Sequence, residues 1–115
     1  MNEITKVSDI TAEDLADYIR LYDTTEDDLQ TLDNLLNVAT AFIMNYTGRT
    51  QSELDNYQDF VIVVLILVQD MWDNRTLYVD KNNLNKVVET ILGMHSVNLL
   101  WVKAKWLMQE NITEK

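Results

Sequence analysis

From Phe60 to Val68 nine consecutive residues are apolar, and most of them are β-branched. Taken alone the run reads as a buried strand. A strand needs partners, however, and no second run of this kind exists for it to pair with. Extended from Tyr57 to Asp73, a stretch with neither glycine nor proline, it becomes a 17-residue helix that is apolar on nearly all sides. Such a helix is central in its domain or shared with a neighbouring subunit, because 115 residues supply few other helices to cover every face. A membrane span takes about 20 apolar residues. The run, bounded by Asp59 and Gln69, therefore reads as buried in protein, and the chain as soluble, with no membrane partner.

The turn residues agree. Proline is absent and glycine occurs only at Gly48 and Gly93, whereas sandwiches and barrels need turn residues at short intervals. The expectation is an all-α fold: a small bundle of four to five helices around a central apolar helix, with a C-terminal tail. Residues 1–95 form the helical domain and residues 96–115 the tail. Cysteine is also absent, which removes disulfides, thiolate metal sites and a cysteine nucleophile and fits a reducing compartment. Met1, Asn2, Glu3 and Ile4 do not resemble the basic start of a secretory signal.

Polar residues 1–9 read as poorly ordered or partner-dependent. Thr11 then caps a first short helix, with Asp14 at the third helical position, Ile10 and Leu15 as flanking staple residues, and Leu15, Tyr18, Ile19 and Tyr22 on its apolar face. Thr24 or Thr25 caps the second, where Glu26, Asp27 and Asp28 sit at the positive end of the helix dipole. The stripe Leu29, Leu32, Leu35, Leu36, Ala39, Phe42, Ile43 and Tyr46 carries that helix from Glu26 to Tyr46, and Gly48 closes it in a left-handed conformation. Ser52 or Asp55 caps the apolar helix. A linker over 76–82 precedes a helix over 83–94, with Leu84, Val87, Val88, Ile91 and Leu92 as its stripe. In the tail, Leu99, Val102, Trp106 and Leu107 suit a helix, while Leu100, Val102, Ala104, Trp106 and Met108 suit a strand. Trp101 and Trp106, with Lys103 and Lys105 between them, make this segment either a piece that packs back on the core or an anchor for a partner.

Chemistry is hard to build from these residues. His95 is the single histidine, so neither a histidine metal cluster nor a Ser-His-Asp triad can be completed within one chain. Two glycines cannot make a phosphate-cradling loop. The carboxylates from Asp23 to Asp28 lack the ligand order and central glycine of a calcium loop. Asp70 and Asp73 end the apolar helix, and Arg75 is close enough to hold one of them in a structural ion pair. The reading is of a non-enzyme without cofactor or metal.

The formal charge is −10, and its placement is uneven. Residues 1–60 hold 13 acids against Lys6, Arg20 and Arg49, whereas residues 61–115 hold six of each sign. There is no basic face with which to grip phosphates.

The order of several phrases resembles the small head–tail connector (adaptor) proteins of long-tailed bacteriophages. A phrase from Val7 to Leu15 opens a short helix, and the acidic stretch from Asp23 to Asp28 leads into a long amphipathic helix. That helix ends in Ile43-Met44-Asn45-Tyr46-Thr47-Gly48-Arg49, and the apolar helix closes on Trp72-Asp73-Asn74-Arg75. A linker and a short helix from Leu84 to Leu92 follow. The likeness spans residues 4–95 and is one of order and spacing. The linker after Arg75 and the tryptophan-rich segment beyond Gly93 depart from it.

The resemblance implies a ring of about a dozen copies docked under the portal protein at the virion head–tail junction, assembled from subunits in the host cytoplasm. A head-completion or tail protein would sit on its other side. DNA would pass through without specific binding during packaging and genome ejection. Tyr46, Arg49, Trp72, Asn74 and Arg75 are then candidate interface positions, with Trp101 and Trp106 as the portal anchor. Asp23, Glu26, Asp27 and Asp28 are candidate lumen-facing acids that keep DNA from sticking. The alternative is a small helical interaction or regulatory module that binds one partner through its C-terminal tryptophans.

Overall fold

The computed structural model describes residues 4–97. Among these residues every regular element is helical, as the missing strand partner for the apolar run requires. The helices are α1 (Ala12–Tyr18), α2 (Glu26–Thr47), α3 (Gln51–Leu54), α4 (Asp59–Asn74) and α5 (Lys86–His95), with 3-10 turns at Val7–Asp9 and Lys81–Asn83. No helix among the described residues is long and apolar enough to cross a membrane.

Local chemistry sets most of the starts. Thr11 accepts the Asp14 N–H at 3.2 Å while the Asp14 carboxylate accepts the Thr11 N–H at 3.0 Å, and the staple residues Ile10 and Leu15 are both buried. Thr25 and Asp28 repeat the reciprocal arrangement at the start of α2. At the other end of α2, Gly48 takes φ 74° and its N–H reaches the Met44 carbonyl at 2.9 Å. A Cβ would be strained in that left-handed conformation.

α4 is the centre of the bundle. Half of its residues are buried, Phe60, Val63, Val64 and Val68 completely. α2 lies along it and contributes Leu32, Leu35, Ala39 and Ile43; α5 packs on both helices through Val88 and Leu92, and α1 adds Leu15. Each large apolar side chain removed from water in this way contributes about 1.5–3 kcal/mol, so α4 stabilises the fold far more than its length suggests.

Four details depart from the sequence reading. Residues 7–9 are ordered by the core: Val7 is buried, and the Ser8 N–H and hydroxyl donate to the Asp55 carboxylate at 3.1 and 2.8 Å. That engagement takes Asp55 away from capping. Thr50, with Glu53, instead caps the separate turn α3, and α4 begins at Asp59 without a side-chain cap. α1 stops at Tyr18 because Arg20 adopts a left-handed backbone (φ 58°), which leaves Tyr22 outside the helix and 81% exposed. α5 starts three residues later than expected, since Asp80 caps the 3-10 turn and Asn85 caps the helix.

Candidate interaction surfaces

Of the residues singled out by sequence, Arg49 and the set Trp72, Asn74 and Arg75 lie at opposite ends of α4. At the end where α4 begins, Arg49 is the organising side chain. It leaves the α2–α3 corner half-buried, donates from Nε to the His95 carbonyl at 2.6 Å, and pairs through Nη1 with Glu53 at 3.2 Å. Its guanidinium also lies over the Tyr57 ring, 5.1 Å from its centre, so one planar group makes a cation–π contact and two hydrogen bonds at once.

His95 continues the cluster. Its ring rests against Tyr57 and Phe60, with centroids 4.4 and 4.8 Å away, and its Nε2 is 2.8 Å from the Asp59 carboxylate. Immediately beyond, the Ser96 hydroxyl donates to the Leu92 carbonyl and the Val97 N–H donates to the Thr47 carbonyl at 2.7 Å. The root of the C-terminal segment is thus tied to the last turn of α2, the α2–α3 corner and the first turn of α4. Tyr57, Asp59 and His95 were not foreseen as a set. Their contacts join positions 36 or more apart, and no local spacing announces them.

Tyr46 is half-buried on α2, its ring 5.7 Å from that of Phe42, and packs against the core.

At the other end of α4 lie Trp72, Asn74 and Arg75. Trp72 is half-buried against the core, and the Asn74 side chain donates back to the Asp70 carbonyl at 2.8 Å. Arg75 ends the helix in a left-handed conformation, φ 55°. The ion pair expected between Arg75 and Asp70 or Asp73 is not formed. The guanidinium turns instead over the Trp72 ring, 5.0 Å from its centre, where a desolvated aromatic face competes well with an exposed carboxylate. Asp70 is left with Asp73 as its charged neighbour on α4. Partial burial first, and the Asp73 charge second, raise its carboxyl above the ordinary value. Both acids also sit at the negative end of the helix dipole.

Beside them opens a cleft of about 260 Å³ with an apolar floor of Leu67, Met71, Val79 and Leu84 and a polar rim that includes Asp70, Asn74 and Asp80. Exposed Leu77 and Tyr78 flank it.

Asp23, Glu26 and Asp27 stand exposed around the start of α2, while Asp28 is half-buried and engaged with Thr25. Among the described residues no three His, Asp or Glu side chains converge on a point where a metal could be held. Trp101 and Trp106 lie outside the described residues. Comparison of the chain with protein-family models, curated proteins and solved structures returns no match.

Proposed function

We propose that this protein is a structural head–tail connector of a tailed bacteriophage, a non-catalytic subunit that assembles into a ring on the portal and extends the DNA channel. The observation that carries the reading is the surface left over when the bundle closes. Tyr22 remains 81% exposed, and Leu77 and Tyr78, beside the cleft at the end of α4, remain 67% and 64% exposed. Subunits that pack helix against helix would cover such surface.

Two further features support it. The acids at the start of α2 would repel the DNA phosphates if that end faced the channel, since like charge removes the contacts that dominate affinity. The order of phrases from Val7 to Leu92 adds the resemblance to the connector family.

Light scattering of the purified chain, alone and with portal particles, is the test. Concentration-dependent rings, or rings formed on the portal, are the expected outcome. A chain that stays monomeric and never binds portal particles overturns the proposal. The alternative reading, a module that grips one partner through the C-terminal tryptophans, rests on the root of their segment at Val97 and differs by forming no ring.

A further inference from the structure

Apolar side chains also border the seam between α4 and α5. Asp59, Ile62 and Ile66 recur at helical spacing and so share one side of α4; Val87, Ile91 and His95 do the same on α5. The His95–Asp59 contact at 2.8 Å shows that these two sides meet at one seam. Ile62, Val87 and Met94 are half or more exposed along its outer edge, and Ile66 and Ile91 are half-buried below them.

We propose that this strip is the docking surface for residues 98–109 of the same chain. Position is the first argument. Val97 is held at the end of the seam where His95 meets Asp59, so the following residues begin at the mouth of the strip. Length is the second. From Asp59 to Ile66 is seven residues of helix, a rise of about 10 Å, and twelve residues reach about 18 Å even when helical.

Chemistry is the third argument. Trp101 and Trp106 each carry about 150–250 Å² of surface, and left in water they would be a liability for a free chain. Charge is the fourth. The segment holds Lys103 and Lys105 and no carboxylate before Glu110, whereas acids outnumber bases 16 to 6 across residues 4–97. Asp73 lies in line with Ile62 and Ile66 on α4, and neither it nor Asp70 has a cationic partner among the described residues. Tethering adds an effective concentration of about millimolar for a short linker. The inference rests on the strip and the root of the segment, and it holds whether or not the protein forms a ring.

The chain contains no cysteine, so two introduced thiols report on each other alone. In the full-length Ile62→Cys/Trp106→Cys variant, treated with a short bismaleimide at micromolar protein, the expected product is an internal link with the mass of one chain. A link between chains assigns the strip to a second copy and overturns the proposal, as does the absence of any link in protein whose circular dichroism is native. Should that variant fail to fold, Ile62→Asp in the otherwise natural chain gives an independent reading. Tryptophan emission is expected to shift to the red as the segment is released, and unchanged emission overturns the proposal. The internal link is scored in whatever oligomer forms. A monomeric chain that carries it would sink the connector reading and leave this one standing.

Discussion

His95 Nε2 lies 2.8 Å from Asp59 Oδ2, so the last residue of α5 is bonded to the first residue of α4. With its ring packed on Tyr57 and Phe60, the imidazole closes the end of the bundle from which the C-terminal segment departs. His95→Ala removes both the polar contact and the packing, and is expected to destabilise by about 2–3 kcal/mol. His95→Phe, which keeps the packing, should recover part of the loss. Urea unfolding at pH 7 measures both.

Arg49 makes three different contacts with one planar group. Arg49→Lys cannot stack on Tyr57 while donating to the His95 carbonyl and pairing with Glu53. It is expected to lose nearly as much stability as Arg49→Ala, about 1–3 kcal/mol in each case. Full recovery by lysine would show that only the charge matters there.

Asp70 gives a pH signature. Its carboxyl is raised by partial burial and then by the Asp73 charge. A carboxyl raised on folding leaves stability intact below its unfolded value and lowers it as pH rises through the folded one. Asp70→Asn is therefore expected to stabilise the fold at pH 7, by less than about 1 kcal/mol because the site is open to solvent, with a small rise in Tm as the readout. The gain should vanish below about pH 3, where both states are protonated.

Glu53 behaves in the opposite sense. Hydrogen bonds from Thr50, then the charge of Arg49, hold its carboxyl below the ordinary value. Its contribution is present above the unfolded value and is lost as pH falls through the folded one. Thr50→Val should thus destabilise at pH 7, and the difference from the natural chain should narrow in acid. Thermal unfolding from pH 7 to pH 2.5 follows it.

Gly48 offers a backbone test. At φ 74° an alanine is strained, and Gly48→Ala is expected to cost about 1 kcal/mol. An unchanged urea midpoint would mean that α2 can end in another way.

The features legible in the sequence were those decided by near neighbours. The Thr11–Asp14 cap, a threonine cap before α2 (Thr25 of the two offered) and the left-handed Gly48 each depend on a few adjacent residues, and all are present. The helical state of Phe60–Val68 followed from a shortage elsewhere, the lack of a strand to pair with. Competition hid the remainder. Asp55 was a fair cap until Ser8, 47 positions away, claimed its carboxylate. Arg75 was drawn to Trp72 rather than to the acids nearby. The link from Arg49 to His95 spans 46 positions, and only the packing of α5 on α2 and α4 brings its ends together. Of the candidate site residues, the sequence singled out Arg49 and Arg75 but could not say that α4 would hold them apart.

The Val97 N–H bonded to the Thr47 carbonyl has a mechanical consequence. Thr47 is fully buried, so a load applied through the C-terminal segment meets α2 and the Arg49 corner before it reaches the hydrogen-bond ladder of α5. Tension is thereby shared among three helices instead of peeling one from its free end. A strand of chain fastened in this manner can carry force without unravelling the body that holds it.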